Sequence, residues 1–75
     1  MEIRERLHEA ATEFNAAIAA GKVRPLQKVA ERVHQVVASA VKEIEAQQPV
    51  DEALLDDAMA LFMDIRWGQP TKKFV

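Results

Sequence analysis

Residues 25–44, PLQKVAERVHQVVASAVKEI, carry the apolar pattern from which the helical architecture follows. The apolar residues of this stretch recur at alternating steps of about three and four, which places them on one face of an α-helix. They are Leu26, Val29, Ala30, Val33, Val36, Val37, Ala40, Val41 and Ile44. The arc that they cover is about 140° wide, whereas a helix facing a single neighbour needs roughly 100°. The pattern therefore predicts a helix with enough apolar surface for both chain neighbours and a second copy of the chain.

Three helices are predicted, over residues of about 2–20, 25–48 and 51–67, followed by a tail over residues 68–75. Gly21 tolerates the left-handed conformation that ends the first helix, and Pro25 suits the first position of the second. Pro49 forbids continuation of the second helix, and Asp51 is a good N-cap for the third. Short links make consecutive helices antiparallel neighbours. We therefore expect an all-α fold, a small three-helix antiparallel bundle over residues 1–67 with a long central helix.

The size of the chain favours association. Its 75 residues allow one small domain, and a core of that size supplies only about 3–5 kcal/mol of stability. There is no cysteine, which excludes disulfides and fits a reducing cytoplasm. The N-terminal stretch MEIRERLHEA is charged throughout and predicts no signal peptide, and no apolar run approaches the roughly 18 residues of a membrane span. We expect a cytoplasmic homodimer.

The predicted third helix carries two apolar stripes, although burial in one small core needs only one. The first stripe, which we expect to pack on the other two helices, consists of Leu54, Ala58, Leu61 and Ile65, with Leu55 and Phe62 on its flank. The second stripe follows the helix at every fourth residue, on the side away from the first, and consists of Met59, Met63 and Trp67.

Two explanations fit the second stripe. Either it is partly exposed or covered by the tail through Phe74 and Val75, or it is an interface with another protein chain. Methionine adapts to irregular partner surfaces, and tryptophan is frequent at interface hot spots. We therefore predict an interface formed by Leu55, Met59, Phe62, Met63 and Trp67. Whether the tail is ordered stays open at this point.

The sequence offers little for catalysis or metal binding. Glu5–His8 and Glu31–His34 both match the Glu-x-x-His spacing of di-iron bundles, but these glutamates lie on the far sides of their helices from the apolar faces. Ser39 is the only serine and falls on a polar face, and no glycine-rich phosphate loop exists. We therefore expect neither an enzyme nor a bound metal or cofactor.

A basic patch on the polar face of the second helix is the remaining candidate, and consists of Arg24, Lys28, Arg32 and Lys42. It could be a solvated face, or bind an acidic protein surface or a phosphate backbone. It could also pair with the acidic row of the first helix, which consists of Glu5, Glu9 and Glu13. The acidic net charge of −2 argues against general nucleic-acid binding.

The function that these features favour is a small non-catalytic protein–protein interaction module. An adaptor, a co-chaperone or an inhibitor of a larger regulatory protein would use a surface of this kind. The alternative is a nucleic-acid-associated regulator that uses the basic patch. No membrane partner is expected.

Overall fold

The computed structural model describes residues 2–75, and most of them belong to three helices: α1 (Ile3–Ala20), α2 (Val23–Glu45) and α3 (Glu52–Trp67). The first two helices are antiparallel, because Arg6 contacts Glu43 whereas Glu13, further along α1, contacts Arg32. Residues 2–75 contain no strand, which confirms the all-α fold class and the three-helix bundle. None of the helices in this range has the length and apolar character that crossing a bilayer requires.

The longest helix, α2, lies between the other two. It packs along both α1 and α3, which have few contacts with each other. Its four buried residues are Val33, Val37, Ala40 and Ile44. The half-buried apolar residues on either side of them, such as Val36 and Val41, pack against the same core. Two neighbours within the chain therefore cover most of the wide apolar arc.

One apolar core holds the three helices together. Its members are the residues that the helical periodicity places on the inner faces, and they are Leu7, Ala10, Ala11, Phe14, Val33, Val37, Ala40, Ile44, Leu54, Ala58, Leu61 and Ile65. The largest fully buried side chain is Phe14 of α1. The first apolar stripe predicted for the third helix is buried along its whole length, so this stripe supplies the α3 share of the core.

The helix ends follow local sequence signals. Gly21 and Gly68 both have φ of 69°, the left-handed conformation that a C-cap glycine adopts without steric cost. After α3, the Gly68 N–H donates to the carbonyl of Ile65 and the Gln69 N–H to that of Asp64, a Schellman arrangement. At the start of α3 the Asp51 carboxylate accepts a hydrogen bond from the Leu54 N–H at 3.0 Å. The caps predicted at Gly21 and Asp51 are both present.

The bounds of α2 differ from the sequence expectation. The helix begins at Val23, two residues before Pro25, and ends at Glu45, three residues before Gln48. Pro25 is tolerated because N–H groups in the first turn have no acceptor within the helix, so a proline there removes no bond. Gln48 precedes Pro49, and the residue before a proline avoids the α conformation, which moves the end of the helix upstream.

The tail after α3 is ordered and returns along the bundle to α1. Thr71 is only 3% exposed. The Asn15 side chain donates to the carbonyl of Thr71 and accepts from its N–H, each at 2.9 Å. Further along, the Phe74 carbonyl contacts the His8 ring, and the Phe74 side chain packs against the core. The tail thus lies against α1, which answers the question that the sequence left open.

We predict that Asn15→Ala destabilises the protein by about 1–3 kcal/mol, because it leaves a buried N–H and a buried carbonyl without partners. The measurement is the free energy of unfolding in a denaturant titration. Thr12→Ala, at an exposed position of the same helix, is the control for the gain in helix propensity that alanine brings. Equal stability of the two variants would show that the Asn15–Thr71 pair does not hold the tail.

Candidate functional site

The predicted interface residues lie on one side of α3. Met59 is 47% exposed, Met63 42% and Trp67 70%, whereas Leu55 and Phe62 are half-buried and pack against the core. We call this set, consisting of Leu55, Met59, Phe62, Met63 and Trp67, the α3 surface. Three of its side chains are exposed, and the other two, Leu55 and Phe62, connect it to the core.

The tail does not cover the α3 surface. It lies on the opposite flank of α3, where the Lys73 ammonium is 3.2 Å from the Asp57 carboxylate and the Gln69 side chain donates to Asp64 at 3.0 Å. Val75 is itself 65% exposed. The explanation in which Phe74 and Val75 shield the second stripe is therefore wrong, because the tail occupies the flank that faces α1.

Residues of α2 extend the α3 surface. A groove of about 280 Å³ runs between the two helices and is lined by Ala38, Val41, Lys42, Glu45, Met59 and Phe62. Further along the same seam the His34 ring lies 4.4 Å from the ring of Phe62. The sequence pattern predicted that α2 has apolar surface for a second copy, but it did not identify the α2 residues that line this groove. The signal was present in Val41, which lies at the edge of the predicted apolar arc of the second helix.

On α3 itself, exposed charged residues lie beside the α3 surface near both of its ends, Asp56 near its start and Arg66 near its end. Within residues 2–75 neither of them forms an ion pair, in contrast to Asp57 on the opposite flank. The two flanks of α3 therefore differ. On one flank the carboxylates of Asp57 and Asp64 contact the tail, whereas Asp56 and Arg66 are exposed to solvent.

One member of the basic patch is paired with α1, and the other three are exposed to solvent. Arg32 forms hydrogen bonds to Glu13 of α1 through both terminal nitrogens, one of them at 3.0 Å. The hydrogen bond and the negative charge of Glu13 raise the pKa of Arg32. The other three members, Arg24, Lys28 and Lys42, are exposed and have no ion pair within residues 2–75. Pairing with the acidic row of the first helix thus holds for one member of the patch.

The two Glu-x-x-His pairs do not converge on one site. Glu5, His8 and Glu31 are exposed, and His34 is half-buried beside Phe62. Among residues 2–75 no three histidine, aspartate or glutamate side chains come close enough to hold a metal ion. The two histidines make separate contacts instead, His8 with the Phe74 carbonyl of the tail and His34 with the ring of Phe62.

Comparison with protein families, with characterised proteins and with solved structures finds no match to this chain. The site is consequently interpreted from its own chemistry, and the α3 surface is the feature that the interior of the bundle does not explain.

We predict that the fluorescence of Trp67, the only tryptophan, reports whether the α3 surface is covered. Because this side chain is 70% exposed in the single chain, dilute protein should emit near the wavelength of the unfolded chain. Rising protein concentration should shift the emission to shorter wavelength as a partner surface excludes water. An emission that is already shifted and independent of concentration, under conditions where sedimentation shows a monomer, would mean that the chain itself covers Trp67.

Proposed function

We propose that this protein is a small non-catalytic protein–protein interaction module of the cytoplasm, which acts through the α3 surface. An adaptor, a co-chaperone or an inhibitor of a larger regulatory protein works in this way, by occupying a surface on its partner. The observation that carries the proposal is the joint exposure of Met59, Met63 and Trp67 on a face that the tail leaves open.

The chemistry of these side chains supports binding. Full burial of a methionine side chain stabilises a complex by about 1.5–3 kcal/mol, and contiguous apolar patches on small proteins commonly mark association sites. The half-buried Leu55 and Phe62 pack the base of the surface against the core. Side chains that the fold already holds in place lose less entropy on binding.

The positions of polar side chains also favour a non-catalytic role. Ser39 is exposed on α2, and the two histidines lie apart, His8 against the tail and His34 against Phe62. Nucleophilic catalysis needs a base within hydrogen-bond reach of the nucleophile. Among residues 2–75, Ser39 has no side-chain hydrogen-bond partner of this kind.

We predict that the double variant M63Q/W67Q keeps the helical content of the protein but weakens its association with itself or with a partner. Loss of two apolar contacts of the α3 surface should cost about 2 kcal/mol or more, roughly thirty-fold in Kd. Circular dichroism measures the helicity. Sedimentation and affinity capture on the immobilised chain measure the association.

The matched control is Val23→Gln, which removes an exposed apolar side chain, 68% accessible, at the start of α2. It should leave both readouts unchanged. If M63Q/W67Q retains the assembly state and the same bound proteins as the control, the α3 surface has no interface role and the proposal is wrong.

The alternative function is contact with nucleic acid through the exposed members of the basic patch, Arg24, Lys28 and Lys42. The Arg32–Glu13 pair opposes it, because one cation of the patch is already neutralised. We predict no binding to duplex DNA or to RNA in a titration at low salt. Binding whose affinity falls steeply as salt rises would instead indicate phosphate contacts and support the alternative.

A further inference from the structure

We infer that the partner of the α3 surface is the same surface of a second copy, with the two α3 helices antiparallel and related by a two-fold axis beside Leu61. This inference rests on the proposed function, which holds that the surface is an interface, and it names the partner and the register.

The side chains of the α3 surface match in pairs about position 61. Met59 and Met63 lie two residues to either side of Leu61. Leu55 and Trp67, both apolar, lie at equal distances further out. In an antiparallel pair with two-fold symmetry, each residue lies at the level of its counterpart in the other copy. Methionine therefore faces methionine at the centre, and Leu55 faces Trp67 at each end.

Two residues of opposite charge are also placed symmetrically about Leu61. Asp56 and Arg66 lie at equal distances from Leu61, so the antiparallel register places Asp56 of one copy at the level of Arg66 of the other. Both residues are exposed, and neither has an ion pair within residues 2–75. A parallel arrangement would oppose like charges, which is unfavourable. Charge complementarity therefore selects the antiparallel register.

The shape of the surface fits a second copy as well. Residues at every fourth position form a ridge along a helix, and such ridges pack into the grooves of a neighbouring helix. Met59 lines the groove of about 280 Å³ between α2 and α3. Met63 of the second copy lies at the level of that groove, and its unbranched side chain adapts to an irregular cleft.

The first experiment reverses the charges in the full-length chain. D56R and R66D each place like charges together at both ends of the interface, and each should raise the dimer dissociation constant about ten-fold in sedimentation equilibrium. The double variant D56R/R66D should restore the wild-type value, since it exchanges the partners. Glu5→Arg, at an exposed position of α1, changes the net charge as D56R does and should have no effect.

The second experiment tests the register by cross-linking, for which the absence of cysteine from the sequence makes single variants specific. An equimolar mixture of M59C and M63C chains should form the mixed disulfide faster than either variant pairs with itself, because disulfides require Cβ atoms about 3.5–4.5 Å apart. S39C, on the exposed face of α2, is the control and should not cross-link. Faster pairing of each variant with itself would indicate a parallel dimer and overturn the inference.

The outcomes separate this inference from the proposed function. If the wild-type chain is monomeric throughout the concentration series while M63Q/W67Q loses a captured protein, the partner is a different chain and the inference is wrong. If the chain dimerises and the double charge variant does not recover the association, the register is wrong. If M63Q/W67Q changes neither readout, the proposed function fails and the inference fails with it.

Discussion

The packing of α2 against two helices at once is the constraint on which the rest of the structure depends. Its buried residues, among them Val33, Val37 and Ile44, are at most 1% exposed. β-branched residues lose side-chain freedom in a helix, so contacts with α1 and α3 rather than intrinsic propensity stabilise this helix. Because both neighbours lie on α2, they contact each other little. The tail occupies the side of the bundle on which they meet.

The docking of the tail makes the two flanks of α3 unequal. The Asn15 side chain forms two hydrogen bonds with the backbone of Thr71. Lys73 forms an ion pair with Asp57 of α3, and the Gln69 side chain donates a hydrogen bond to Asp64. The side of α3 away from the tail is left with exposed apolar side chains. The position of the tail thus distinguishes the flank of α3 that contacts the rest of the chain from the side on which Met59, Met63 and Trp67 are exposed.

A self-complementary α3 surface would also meet the stability problem of a short chain. Small domains bury a low fraction of their surface, and oligomerisation is one of the ways in which they compensate when they lack disulfides or metals. In the dimer that we propose, the apolar centre supplies most of the affinity and the Asp56–Arg66 pairs fix the orientation, as charges at interfaces generally do. Of the exposed cations of α2, Lys42 lines the groove beside Met59, whereas Arg24 and Lys28 lie near the start of the helix.

The sequence by itself determined the helices, their inner faces and most of their ends, because these depend on periodicity and on local signals at Gly21, Asp51 and Gly68. The sequence also identified the exposed stripe on α3, because helical spacing places its residues on the side of the helix away from the stripe that forms the core. Three features become visible only in the folded chain: the path of the tail, the pairing of Arg32 with Glu13, and the α2 residues that line the groove beside Met59. These features join residues far apart in the chain, as the Asn15–Thr71 pair does across 56 positions, and they depend on how the helices are placed in space rather than on any local pattern.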